Sequence, residues 1–161
     1  DIPAWGISTA DYHEEGLGGE KLGNFPTVFL VKKKTRDEVL LALKQGRMYA
    51  CRSGNNFQRF VLQDFSVSDS NTNSQANMGD TLELNSKPEI RINVSSSDQK
   101  VHNVDVRIIR SGKLIRTISK TTPFAVDFKD DYFNPGELIY YRLEIPGKLV
   151  SNPIFVKFGR D

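Results

Sequence analysis

The chain has 161 residues, 38% of them hydrophobic and 26% charged, with 22 basic against 20 acidic side chains. This length suits one domain, or one domain with an appendage, and it is enough to bury a core without staples. The near-balance of charge excludes an electrostatic nucleic-acid binder, and no apolar run reaches the roughly 20 residues that span a bilayer, so neither nucleic acid nor membrane is expected as a partner.

In chain order, residues 1–26 read as irregular: glycines at 6, 16, 18, 19 and 23 interrupt every periodic pattern. Thr27-Val28-Phe29-Leu30-Val31 is a compact β-type run whose apolar continuity predicts burial on both faces. A helix is expected over Thr35–Gly46. Thr35 with Glu38 forms a capping box, Asp37 and Glu38 place negative charge in the first turn, and Gly46 supplies a left-handed stop. Val39, Leu40 and Leu43 make its apolar stripe. Arg47 to Arg52 reads as another short strand.

From Arg59 onward the period changes to two. Phe60 and Leu62, then Ile90, Ile92 and Val94, then Val104, Val106 and Ile108, each alternate with the opposite face. Phe124, Val126 and Phe128 follow the same rule, as do Ile139, Tyr141, Leu143 and Ile145, and finally Ile154, Val156 and Phe158. Alternation of this kind belongs to antiparallel sheets with one dry and one wet face. Ser111-Gly112 reads as a tight hairpin turn, and Asn134-Pro135-Gly136 and Pro146-Gly147 as two further turns. Ser68 to Asn77 is a polar loop. The expected fold class is therefore mainly β: an immunoglobulin-like antiparallel β-sandwich over residues 59–161, preceded over residues 1–58 by a small α/β piece with one clear helix at about 35–46. The single cysteine, Cys51, rules out an internal disulfide, so the likeness to antibody domains is architectural and the redox compartment stays open. A start at Asp1 with no Met or signal peptide is expected of an internal segment or a processed chain.

Most polar groupings have an ordinary reading. Asp127, Asp130, Asp131 and Glu137 cluster around a turn but lack the spaced ligand ladder of a calcium loop, which favours a solvated surface. Lys32-Lys33-Lys34 reads as a solvated strand end. Ser111 and Ser151 have no neighbouring histidine, His102 reads as an exposed loop or strand-start residue, and Cys51 as a buried thiol. The aromatic pairs Tyr132-Phe133 and Tyr140-Tyr141 read as sheet packing, and Trp5 as packing for the N-terminal piece.

Gly6-Ile7-Ser8-Thr9-Ala10-Asp11-Tyr12-His13 has a different character. It resembles the last metal-binding segment of the PHP (polymerase and histidinol phosphatase) phosphoesterase superfamily, in which a strand end carries an Asp-x-His pair. Phe25–Leu30, the helix Thr35–Gly46 and the strand Arg47–Ala50 resemble the elements that close such domains, and Arg110–Lys113 with Ser151–Ile154 resemble parts of a sandwich appended to some members. The resemblance implies that Asp11 and His13 are metal ligands in an intact parent, and that the metal is a divalent ion such as Zn, Mn or Fe, which activates water and clamps phosphate oxygens; Glu14 and Glu15 nearby read as a solvated acidic turn rather than as further ligands. It also implies an upstream catalytic domain in the same parent chain. The family's opening His-x-His motif is absent, and the only histidines are His13 and His102. The expected function is thus that of a non-catalytic C-terminal portion of a metal-dependent phosphoesterase. The alternative is a sandwich that binds a protein or glycan and has no enzymatic parent.

Overall fold

The computed structural model describes residues 3–14, 16, 21–69, 71–72 and 74–160. The expectations for Glu15, Gly18 and Gly19, and those for Ser70 and Asn73 in the polar loop, lie outside the described residues.

Among the described residues, twelve strands and one α-helix follow the order β1 (Thr27–Phe29), α1 (Arg36–Gln45), β2 (Met48–Cys51), β3 (Phe60–Asp69), β4 (Gln75–Asn77), β5 (Thr81–Leu84), β6 (Pro88–Ser96), β7 (Asn103–Arg110), β8 (Lys113–Thr121), β9 (Phe124–Lys129), β10 (Leu138–Ile145), β11 (Leu149–Ser151) and β12 (Ile154–Phe158). The protein is mainly β, as its period-two patterning predicts. Four strands make one sheet in the order β4-β3-β6-β9, and eight make the other. Within the larger sheet β10 is the hub: Tyr141 pairs with Arg110 of β7 on one edge and with Ile154 of β12 on the other. β11 and β12 lie end to end along that second edge, since β11 pairs with Glu144 and Ile145 and β12 with Leu138 to Tyr141. Their separation is Asn152-Pro153, where proline has no N–H to give to a ladder. Beyond the break the partners differ: β11 pairs with β2 antiparallel, and β12 pairs with β5 parallel.

The inner faces meet in one core. Ile90, Ile92 and Val94 of β6 face Val106, Ile108, Tyr141, Leu143 and Val156 of the larger sheet, all fully buried. A bulge between Leu62 and Asp64 shifts the phase of β3, so Phe65 and Val67 take over the inward positions. Ser111-Gly112 turns β7 into β8 with both residues at positive φ, 46° and 82°, the signature of a type I′ hairpin. The cis peptide Thr122-Pro123 lies where the chain leaves β8 for β9 of the other sheet.

The segment before residue 59 is not set apart from the sandwich. β1 pairs with β2, β2 with β11, and Tyr49 and Cys51 stand in the common core. Several local expectations differ from what is found. The Thr27–Val31 run is half-buried, with Leu30 at 38% exposure, because β1 is the last strand at its edge of the sheet. In α1 only the first half of the capping box forms: Thr35 Oγ1 accepts the Glu38 N–H at 3.3 Å, whereas the Glu38 carboxylate accepts the Lys32 N–H. The apolar stripe is covered only in part: Val39 is half-buried, but Leu40 and Leu43 are 48% and 41% exposed, as is their neighbour Leu41 at 43%, and Ala42 is the buried residue of the helix. Gly46 ends α1 at φ 74°, with its N–H directed at the Ala42 and Leu43 carbonyls. Ser68–Asn77 is not wholly loop, because β3 runs to Asp69 and β4 returns from Gln75.

Candidate functional site

Asp11 and His13 lie on an exposed, irregular segment carried by the edge of the larger sheet. Ser8 fixes it there: its N–H donates to Thr27 Oγ1 at 2.9 Å, the Thr27 hydroxyl donates to the Ser8 carbonyl at 3.0 Å, and the Ser8 hydroxyl donates to the Cys51 carbonyl at 3.2 Å. Asp11 takes φ 49°, a left-handed conformation that aspartate tolerates better than most residues, and its N–H donates to Thr9 Oγ1. Among the described residues no hydrogen bond or ion pair reaches the Asp11 carboxylate. Glu14 is also exposed. A protein metal site of the catalytic kind takes at least three protein ligands and an open position. Among the described residues no three His, Cys, Asp or Glu side chains come together to hold a metal. The donor types at Asp11 and His13 suit Zn, Mn or Fe, but two ligands on one segment do not complete a site, and no chemical step follows from them alone.

The acidic group around residues 127–137 is dispersed into separate partnerships. Asp127 pairs with Arg91 at 2.8 Å, Asp131 with Lys87 at 2.9 Å, and Glu137 accepts from Tyr132 Oη and Asn134 Nδ2. Asp130, expected at the surface, is 7% exposed. It receives two N–H bonds from Arg110 Nη1 at 3.0 and 2.7 Å and the Tyr141 hydroxyl at 2.6 Å. The Arg110 guanidinium lies 3.9 Å from the Tyr132 ring centroid. Burial and the Asp130 carboxylate together raise the Tyr141 hydroxyl far above its ordinary range, so it serves as a fixed donor.

His102, just before β7, is half-buried and bonds through Nε2 to Asp98 at 2.9 Å. The Ser96 hydroxyl donates to the same carboxylate at 2.6 Å. Aspartate is therefore the centre of this trio, and the serine is not placed to give its proton to the histidine, as nucleophilic catalysis would need. Ser151 Oγ is buried and accepts the Leu143 N–H. Burial pushes the Cys51 thiol up to about 11, and a thiol so held is inert at neutral pH.

One recess escapes a reading by motif. On the outer face of the larger sheet, at the Asn152-Pro153 break, a cavity of about 400 Å³ is lined by Arg142, Asn152, Tyr140, Ala50, Val150 and Ile7. Its only sequence signals are a proline interrupting a strand pattern and an arginine on the wet face of β10. No family model matches the chain, and no curated protein matches it either.

Proposed function

We propose that this chain is the non-catalytic C-terminal part of a metal-dependent phosphoesterase of the PHP type, in which the sandwich presents residues 6–13 to an upstream catalytic domain. On this reading, Asp11 and His13 supply a carboxylate oxygen and an imidazole nitrogen to a divalent metal whose other ligands come from that domain. The metal would activate water for attack on a phosphate ester. The chain's own contribution is to hold the segment, through the Ser8–Thr27 pair, at the rim of a rigid sheet.

The observation that carries the reading is the placement of exposed apolar side chains. Of the thirteen large hydrophobics exposed among the described residues, nine lie at or before Phe57. They include Ile7 and Tyr12 beside the Asp-x-His pair, and Leu40, Leu41 and Leu43 on α1. Scattered apolar residues need no explanation, but an upstream domain docked on this segment would cover these side chains, which the rest of the chain leaves exposed.

Metal content and turnover test the reading together. The isolated chain is expected to show no metal-dependent hydrolysis of an aryl phosphate. The intact parent is expected to hydrolyse it and to lose bound metal on Asp11→Ala or His13→Ala. Metal-dependent turnover by the isolated chain, or full metal content in both parent variants, would overturn it.

A further inference from the structure

We propose that β8 is a docking edge for an extended acidic segment of another protein, which adds to the larger sheet as a further strand. A strand at the end of a sheet leaves alternate N–H and C=O groups without a ladder partner. β1, β4 and β5 end their sheets with only three or four residues each. β9 ends the smaller sheet with six, and its Asp127 and Lys129 are tied to Arg91 and Glu89 of β6. β8 is different. It runs for nine residues, contains no proline or glycine, and pairs with β7 alone among the described strands. Seven of its nine residues are exposed, so its free edge is open along most of its length.

The chemistry of the partner follows from the register. Arg116, Ile118 and Lys120 stand opposite Ile108, Val106 and Val104 of β7. Residues opposite each other project from one face, so this trio shares the face that carries the buried core. The smaller sheet does not cover it there: Arg116 and Lys120 are exposed, and Ile118 is half-buried. Neither cation, nor Lys113 at the start of the strand, has an ion pair among the described residues. Asp105, the one carboxylate of β7, lies opposite Ser119 on the other face and accepts its hydroxyl at 2.6 Å. A strand laid along β8 therefore meets a cation, an apolar side chain and a second cation at alternate positions. Its complement is acidic, apolar, acidic, a pattern that reads the same in either strand direction. The same charges disfavour a second copy of this chain, because two β8 strands paired antiparallel in full register set Lys113 opposite Lys120 at both ends. The inference is independent of an enzymatic parent.

The test titrates the isotope-labelled chain with three short capped peptides. The first alternates threonine with glutamate, valine and glutamate. The second has lysine for both glutamates, and the third has proline for the valine. Saturable amide shifts centred on residues 116–120, with slower hydrogen exchange at alternate β8 amides, are expected from the first at millimolar concentration. The lysine and proline peptides are each expected to bind at least about tenfold more weakly. Substituting both exposed cations, Arg116→Glu with Lys120→Glu, is expected to reverse the order of the glutamate and lysine peptides. No saturable shift from the first peptide, equal binding of the lysine peptide, or an unreversed order in the double variant would overturn the acidic partner. Equal binding of the proline peptide would overturn strand addition. Shifts in β8 that depend on chain concentration without peptide would assign the edge to a second copy and overturn the proposal as well. If the double variant does not fold, the three peptides on the unmodified chain decide alone.

Discussion

The Trp5 indole lies on Gly46: a Cβ built on that glycine would stand 2.5 Å from Trp5 Cδ2 and Cε3. The helix end and the N-terminal strap are thereby one contact, and the glycine serves two needs at once, a left-handed φ of 74° and room for a ring. Gly46→Ala is expected to destabilise the chain by about 1–2 kcal/mol from the backbone alone. It should also displace the indole. Trp5 is the chain's sole tryptophan, so its emission reports this directly. A red shift together with a lower denaturation midpoint is expected; unchanged emission would mean that the indole is not seated there.

The Arg110–Asp130–Tyr141 cluster should behave as a buried charge network. Asp130→Ala leaves the Arg110 guanidinium part-buried without its carboxylate and is expected to cost about 3–5 kcal/mol. Tyr141→Phe removes one hydrogen bond to a charged acceptor and is expected to cost about 1.5–3 kcal/mol. Chemical denaturation of both single variants and the double variant checks this, and additive losses would contradict a shared network.

The regular elements are legible wherever the local signal and the tertiary context agree. The Ser111-Gly112 hairpin, the caps of α1 and the inward faces of β6 and β10 follow from turn chemistry and period two. The short strands β4, β5 and β11 escape because three or four residues carry no readable period, and β5 is held only by a parallel partner, β12, far along the chain. Asp130 reads as surface for a related reason: its partners Arg110 and Tyr141 are 20 and 11 residues away, and a carboxylate in a turn looks solvated until they are brought to it.

Acid should weaken the chain in a defined window. Asp98 is held down to about 2 from 3.8, first by the Ser96 hydroxyl and then by the Lys100 N–H and His102. A carboxyl whose folded value is depressed contributes stability above its unfolded value, and that stability is lost as pH falls through the folded one. Stability is therefore expected to decline from about pH 4 towards pH 2. In Ser96→Ala, the Asp98 carboxyl resonance should titrate at higher pH. An unmoved titration would show that the serine does not hold the carboxylate.

The exposed leucines of α1 should matter little to the chain alone. Leu40→Gln, Leu41→Gln and Leu43→Gln are each expected to change stability by no more than about 0.5 kcal/mol. Met48→Ala, at a fully buried position, is expected to cost about 2–5 kcal/mol. Comparable losses in both sets, measured by urea denaturation, would mean that the leucine face is packed within this chain.

Amide hydrogen exchange along Arg36–Gln45, compared between the 161-residue chain and the intact parent, tests the docking reading most directly. Burial of the Leu40, Leu41 and Leu43 face against an upstream domain predicts slower exchange in α1 and in residues 6–13 of the parent, with β6 and β10 unchanged. Equal exchange in α1 and residues 6–13 of the two proteins would contradict it.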